Sequence, residues 1–160
     1  MPSQLALIRH SKAEQGTPDH TRALTKRGAR DAAAIGSWLH DRGFVPDLAA
    51  VSPSTRTRQT WEGIATALGA EKIRVVLDER IWTNASEGLL ELVAEQDGTV
   101  AMLAVVGHNP SIHEVAFELA GAAAADRLGE FPTSTVAVFS LDDWTMPQTA
   151  RLVDVATCRG

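Results

Sequence analysis

Two histidines in this chain sit where phosphate chemistry would need them. The first ends the run Leu5-Ala6-Leu7-Ile8-Arg9-His10-Ser11, and the second lies in Leu103-Ala104-Val105-Val106-Gly107-His108-Asn109-Pro110. A phosphate monoester carries close to two negative charges at pH 7. Arginine forks bind its oxygens bidentately and stay charged at every working pH. A neutral imidazole can act as a nucleophile, and a charged one as a hydrogen-bond donor. His10, His108, Arg9 and Arg56 therefore make a minimal pocket for phosphoryl transfer through a covalent phosphohistidine. Glu79 is the candidate proton donor to the leaving oxygen. Arginine and imidazolium supply the positive charge, so this chemistry calls for no metal and no cofactor.

The elements around these residues alternate. Leu5 to Ile8 reads as a buried strand, and Ser11 to Arg22 as a loop marked by Gly16-Thr17-Pro18-Asp19. Thr25 caps a helix that runs to about Arg42, with Gly43 as its stop. Leu48 to Val51 is a second strand, followed by a helix from Ser54 to Gly69 with Trp61, Ile64, Ala65 and Leu68 on its inner side. Ile73 to Leu77 is a third strand, and Ser86 to about Glu95 a shorter helix. Val100 to Val106 is a fourth strand. Asn109-Pro110 opens the next helix with Pro110 at its first position, and Gly121 closes it. Thr135 to Leu141 and Ala150 to Val155 are two further strands.

This order predicts an α/β fold: a mostly parallel central sheet with helices on both faces, and an antiparallel strand near the C-terminus. One domain over residues 1–160 is expected. In such sheets ligands bind beyond the carboxyl ends of the strands. Arg9 and His10 follow the first strand, Ser52 and Arg56 the second, Asp78 and Glu79 the third, and His108 the fourth. The topology thus sends all of them to one edge.

Bulk properties narrow the class. The chain has 160 residues, 22% of them charged, and a net charge of −5. That balance argues against a general nucleic-acid binder, which would want a basic face. Nothing approaches a membrane span or a signal peptide, and the single cysteine, Cys158, fits a cytoplasmic location.

Four blocks, in order, carry a family resemblance. Leu7-Ile8-Arg9-His10 resembles the Arg-His-Gly signature of the histidine phosphatase superfamily, the phosphoglycerate mutase-like proteins. Arg22-Ala23-Leu24-Thr25-Lys26-Arg27-Gly28 is similar to its Arg-x-Leu-Thr-x-x-Gly stretch. Val51-Ser52-Pro53-Ser54-Thr55-Arg56-Thr57-Arg58-Gln59-Thr60 looks like its second block, and Val106-Gly107-His108-Asn109-Pro110 like its second-histidine block. The resemblance covers roughly residues 4 to 141. It implies His10 as nucleophile, Arg9 and Arg56 on the phosphoryl oxygens, and His108 as a stabiliser of transition-state charge. Leu77-Asp78-Glu79-Arg80 is similar to the segment that carries the acid, and Arg22 is implied as a further phosphate ligand. Block order and size look most like the SixA-type branch, which removes phosphate from phosphohistidine in signalling proteins. The expected partner is then a phosphorylated protein or a small phosphomonoester.

One position departs from the pattern: Ser11 stands where the family usually has Gly. Either the backbone there is conventional or the pocket is narrowed, and the Ser11 hydroxyl is a candidate phosphate ligand. Other residues read as bystanders. Arg58 and His113 are expected to be structural or exposed, His20 and His40 to have no role, and Trp38 and Trp61 to pack, while Trp82 either packs in the core or lines the site mouth. A broad-specificity phosphomonoesterase and a non-catalytic phosphate-recognition module stand as alternatives. A metallohydrolase fails on spacing, because the histidines fall in separate blocks.

Overall fold

Alternate residues of the first apolar run go to opposite sides of a sheet. Leu5 and Leu7 join one buried cluster, Ala6 and Ile8 another, and each of the four is fully buried. The same division recurs in Leu103 and Val105 against Ala104 and Val106. This is the two-residue period of a strand covered on both faces.

A computed structural model describes residues 2–160. The strands are β1 (Ser3–Arg9), β2 (Leu48–Val51), β3 (Arg74–Leu77), β4 (Met102–Gly107), β5 (Thr135–Leu141) and β6 (Arg151–Thr157). The helices are α1 (Lys26–Asp41), α2 (Thr55–Leu68), α3 (Glu79–Trp82), α4 (Ser86–Ala94) and α5 (Ser111–Ala120). The six strands form one sheet in the order β3-β2-β4-β1-β5-β6. The pairs β3–β2, β2–β4 and β4–β1 are parallel, whereas β5 runs antiparallel to both β1 and β6. The sheet is mixed, as expected near the C-terminus.

Helices α1 and α2 cover one face through Ile35, Leu39, Trp61 and Ile64. Helices α3, α4 and α5 cover the other through Ile81, Leu89, Leu92, Ile112 and Val115. Cutting a fully buried residue such as Leu7 to alanine would cost about 2–5 kcal/mol. The helix ends follow their sequence signals. Thr25 Oγ1 accepts from the Gly28 amide at 2.9 Å, and Ser54 Oγ from the Thr57 amide at 3.4 Å. Gly69 ends α2 in the left-handed conformation at φ 75°.

Some boundaries differ from expectation. Pro110 is the cap of α5 and Ser111 its first helical residue. The helix start is set from a distance: Asn84 Oδ1 accepts from the Ser111 amide at 3.1 Å, and Asn84 Nδ2 donates to the Asn109 carbonyl at 2.8 Å. Helix α3, a single turn, is an addition. Strand β3 is largely exposed, with Val75 and Leu77 43% and 51% accessible, because it is an edge strand with little covering it.

Gly107, the last residue of β4, sits where nothing larger fits. A Cβ there would lie 2.9 Å from both Ile112 of α5 and Ile81 of α3.

Candidate active site

At the carboxyl end of β1 the backbone continues the sheet by one bond, from the His10 amide to the Gly107 carbonyl at 3.0 Å. That bond brings the end of β4, and with it His108, beside His10. The two imidazole rings lie 5.4 Å apart, centroid to centroid. Ser54 starts α2 at the same edge, so Arg56 reaches across to the pair: its Nη2 is 3.4 Å from His108 Nδ1. Residues from three parallel strands and their connections thus meet, as the topology predicts.

Each ring is held in one tautomer. The Ser11 carbonyl can only accept, so at 2.7 Å it requires the proton on His10 Nδ1 and leaves a lone pair on Nε2. Arg56 can only donate, so His108 Nδ1 accepts and Nε2–H donates to Ser52 Oγ at 2.8 Å. Burial, aided by the charges of Arg56, Arg9 and Arg22, pushes the His10 pKa down to about 4. Burial, with the charges of His10 and Arg56, pushes His108 down to about 3. Both imidazoles are neutral at pH 7 in the anion-free protein. A neutral His10 with a bare Nε2 is the form in which histidine attacks phosphorus.

The two arginines are anchored but not saturated. Arg9 Nη1 donates to the Phe131 carbonyl at 3.2 Å. Arg56 donates through Nη1 to the Asp19 carbonyl at 2.9 Å and through Nη2 to the Asp19 carboxylate at 3.1 Å. The Nε of each is buried without a partner. Buried donors are almost always paired in folded proteins, so each exception calls for a reason, and an anion's oxygens would supply the acceptors here.

Around this floor runs a rim of exposed groups. A cavity of about 200 Å³ is lined by His20, Pro53, Ser54, Glu79 and Trp82. Glu79 is the first residue of α3 and stands exposed on its lip. The carboxylates near it are otherwise engaged: Asp78 caps α3 and pairs with Arg80 at 2.8 Å, and Glu91 and Glu95 pair with Arg80 as well. Arg22 pairs with Asp19 at 2.8 Å, and its charge reaches His10.

His10, Arg9, Arg56 and His108 are therefore brought together, with Arg22 and Glu79 at the margin. Ser11 is fully buried, and its Oγ accepts from Ser134 Oγ at 2.7 Å. Its backbone is conventional, without positive φ, so a serine fits without strain. Its hydroxyl is engaged with the protein rather than presented to the pocket, which counts against a direct phosphate contact. Trp82 meets the His108 ring edge-on at 5.6 Å, lining the site rather than only packing. His20, read as a bystander, lines the cavity mouth. Two residues went unread as parts of the site. Asp19 bridges Arg22 and Arg56, and its spacing of three residues before Arg22 was the available signal. Ser134 carried no signal in the sequence.

Comparison with known proteins identifies the family. The family model for the histidine phosphatase superfamily (branch 1) matches residues 5–82. An uncharacterized protein of Mycobacterium tuberculosis is 34% identical over an alignment of 139 positions that covers 82% of this chain and 85% of the relative. A solved structure from Agrobacterium tumefaciens, provisionally assigned as the phosphohistidine phosphatase SixA, is 30% identical with a TM-score of 0.84, over 98% of each chain. Another with the same provisional assignment, from Nakamurella multipartitia, is 29% identical with a TM-score of 0.88, over 99% of this chain and 97% of that one. The chain belongs to the histidine phosphatase superfamily, in its SixA-type branch.

Proposed function

We propose that the protein is a phosphohistidine phosphatase that works through a covalent phosphohistidine at His10, without a metal. The observation that carries this reading is the His10 ring: neutral, held by the Ser11 carbonyl at Nδ1, and flanked by Arg9, Arg56 and His108. The Nε2 lone pair attacks phosphorus and the bond from phosphorus to the leaving group breaks. The leaving group departs with that electron pair and takes up a proton. Water then attacks the phosphoramidate, the P–Nε2 bond breaks, and inorganic phosphate leaves. Arg9 and Arg56 hold the phosphoryl oxygens through both steps, and the phosphate charge favours a proton on His108 that burial and the Arg56 charge otherwise disfavour. Where the leaving group is an alkoxide, Glu79 supplies its proton.

A phosphorylated protein suits the mouth. Between β3 and β4 the chain builds only α3 and α4, which form a low rim and no lid, so a phosphorylated side chain on a large partner can reach His10. The provisional SixA assignment of the two similar structures supports the same substrate class.

The test is rapid quench with a protein chemically phosphorylated on histidine, beside p-nitrophenyl phosphate and sugar phosphates, all with EDTA. The expected result is an acid-labile, base-stable phosphoenzyme, absent in His10→Ala, with fastest turnover on the phosphohistidine protein. Label that survives His10→Ala overturns the mechanism. Preference for small monoesters makes the protein a general phosphomonoesterase. Phosphate binding without turnover makes it a recognition module.

A further inference from the structure

Ser134 lies just before β5 with φ 65° and no solvent exposure. Side chains other than glycine rarely adopt that conformation, and a buried residue held in it signals a constraint imposed from outside. The constraint is visible. The Ser134 amide is shared between the Arg9 carbonyl at 3.3 Å and the His10 carbonyl at 3.2 Å. Its hydroxyl donates to Ser11 Oγ at 2.7 Å, and its carbonyl accepts from the Cys158 amide at 3.0 Å. Both of its donors are thus spent on Arg9-His10-Ser11, and its acceptor ties it to the chain beyond β6.

Ser11 is pinned from a second side. Its amide donates to Thr60 Oγ1 at 3.0 Å, and Thr60 Oγ1 donates to the Arg56 carbonyl at 2.7 Å. The carbonyl that orients His10 therefore belongs to a residue whose hydroxyl is fixed by Ser134 and whose amide is fixed from the helix that carries Arg56. A glycine at position 11 would need no hydroxyl partner; a buried serine does.

We propose that Ser134 is a positioning residue for His10. Through the Ser134–Ser11 hydroxyl contact it fixes the peptide that sets the tautomer and direction of the His10 ring. This rests on the reading of His10 as the phosphoryl acceptor.

Ser134→Gly is the informative variant, since glycine tolerates positive φ and keeps the amide while removing the hydroxyl. Ser11→Ala breaks the same contact from the other side and serves if Ser134→Gly does not fold. Four quantities are read for wild type, both single variants and the double: the His10 tautomer by 15N NMR without anions, kcat and KM on p-nitrophenyl phosphate, and Tm. The wild-type ring should be protonated at Nδ1 alone, with the signal assigned by its loss in His10→Ala. Each single variant should give mixed tautomers and a kcat lower by about tenfold, with KM within about twofold. The double should be no slower than the worse single, because both remove one contact. A fall in Tm with unchanged tautomer and kcat, or additive losses in kcat, overturns the proposal. A wild-type protein that forms no phosphoenzyme overturns the catalytic reading instead, while the tautomer data still decide the positioning role.

Discussion

The floor and the rim of the site are built by different rules. On the floor, His10, His108 and Arg56 are 9%, 4% and 6% exposed, and Ser11, Ser52, Thr60 and Ser134 are fully buried. Their hydrogen bonds join β1, β2, β4, α2 and the approach to β5, elements far apart in sequence. At the rim, Asp19, His20 and Glu79 are exposed, and the Arg22–Asp19 pair joins residues three apart. Exposed ion pairs contribute only about 0–1 kcal/mol, so an arriving phosphate can take Arg22 from Asp19 at little cost. A floor that is buried and hydrogen-bonded across several elements suits the one group all substrates share. A rim that can rearrange suits leaving groups that differ.

The largest test of that contrast is His10→Ala, which should remove the phosphoenzyme and lower kcat by about 10⁴-fold or more, read by rapid quench and steady-state assay. Arg56→Ala should follow with a loss in kcat/KM of about 10²–10³-fold, and Arg56→Lys should recover little of it, since a point charge cannot replace a fork. A result near wild type for either would end the distinction.

Acid should then separate floor from rim in stability. His10 and His108 titrate near 4 and 3 when folded, against an ordinary 6.5. The unfolded chain therefore binds protons more readily, and stability rises with pH across this window. It should be complete above about 6.5 and decline towards 4 by a few kcal/mol, measured by urea melts in phosphate-free buffer. The double variant His10→Gln/His108→Gln should flatten that slope, and Glu79→Gln should leave it unchanged.

Glu79→Gln should instead appear in leaving-group dependence. We expect a loss of about tenfold or more on alkyl phosphates and within about twofold on p-nitrophenyl phosphate, whose leaving group needs no proton. Smallest of all, Asp19→Asn should tighten inhibition by inorganic phosphate by about two- to fivefold, since it removes a competing charge from Arg22 and Arg56. Weaker inhibition would make Asp19 part of the floor.

Much of the floor was legible because it hangs on strong local signals. The apolar runs ending at Arg9 and Gly107 identify two strands, and Thr25 and Ser54 mark helix starts whose caps form as expected. The residue that follows a parallel strand reaches the ligand edge by topology alone. Ser134 escapes that reasoning because β5 is antiparallel to β1, so the residue before β5 reaches the edge, not the one after it. Pro110 was placed one residue too far into α5 because its cap comes from Asn84, which no local pattern connects to it. Glu79 was legible over Asp78 only through the resemblance of its segment, whereas the pairing of Asp78 with Arg80 is visible only in the fold.

Gly107 carries no functional group, yet side chains from two elements of the site close over it. Ile112 beyond it belongs to the helix that follows His108, and Ile81 to the short helix that begins at Glu79. One added methyl would press on both side chains, so the helix after His108 or the short helix that begins at Glu79 would have to shift. The hydrogen that stands in place of a methyl at this position is what lets both side chains close on the end of β4.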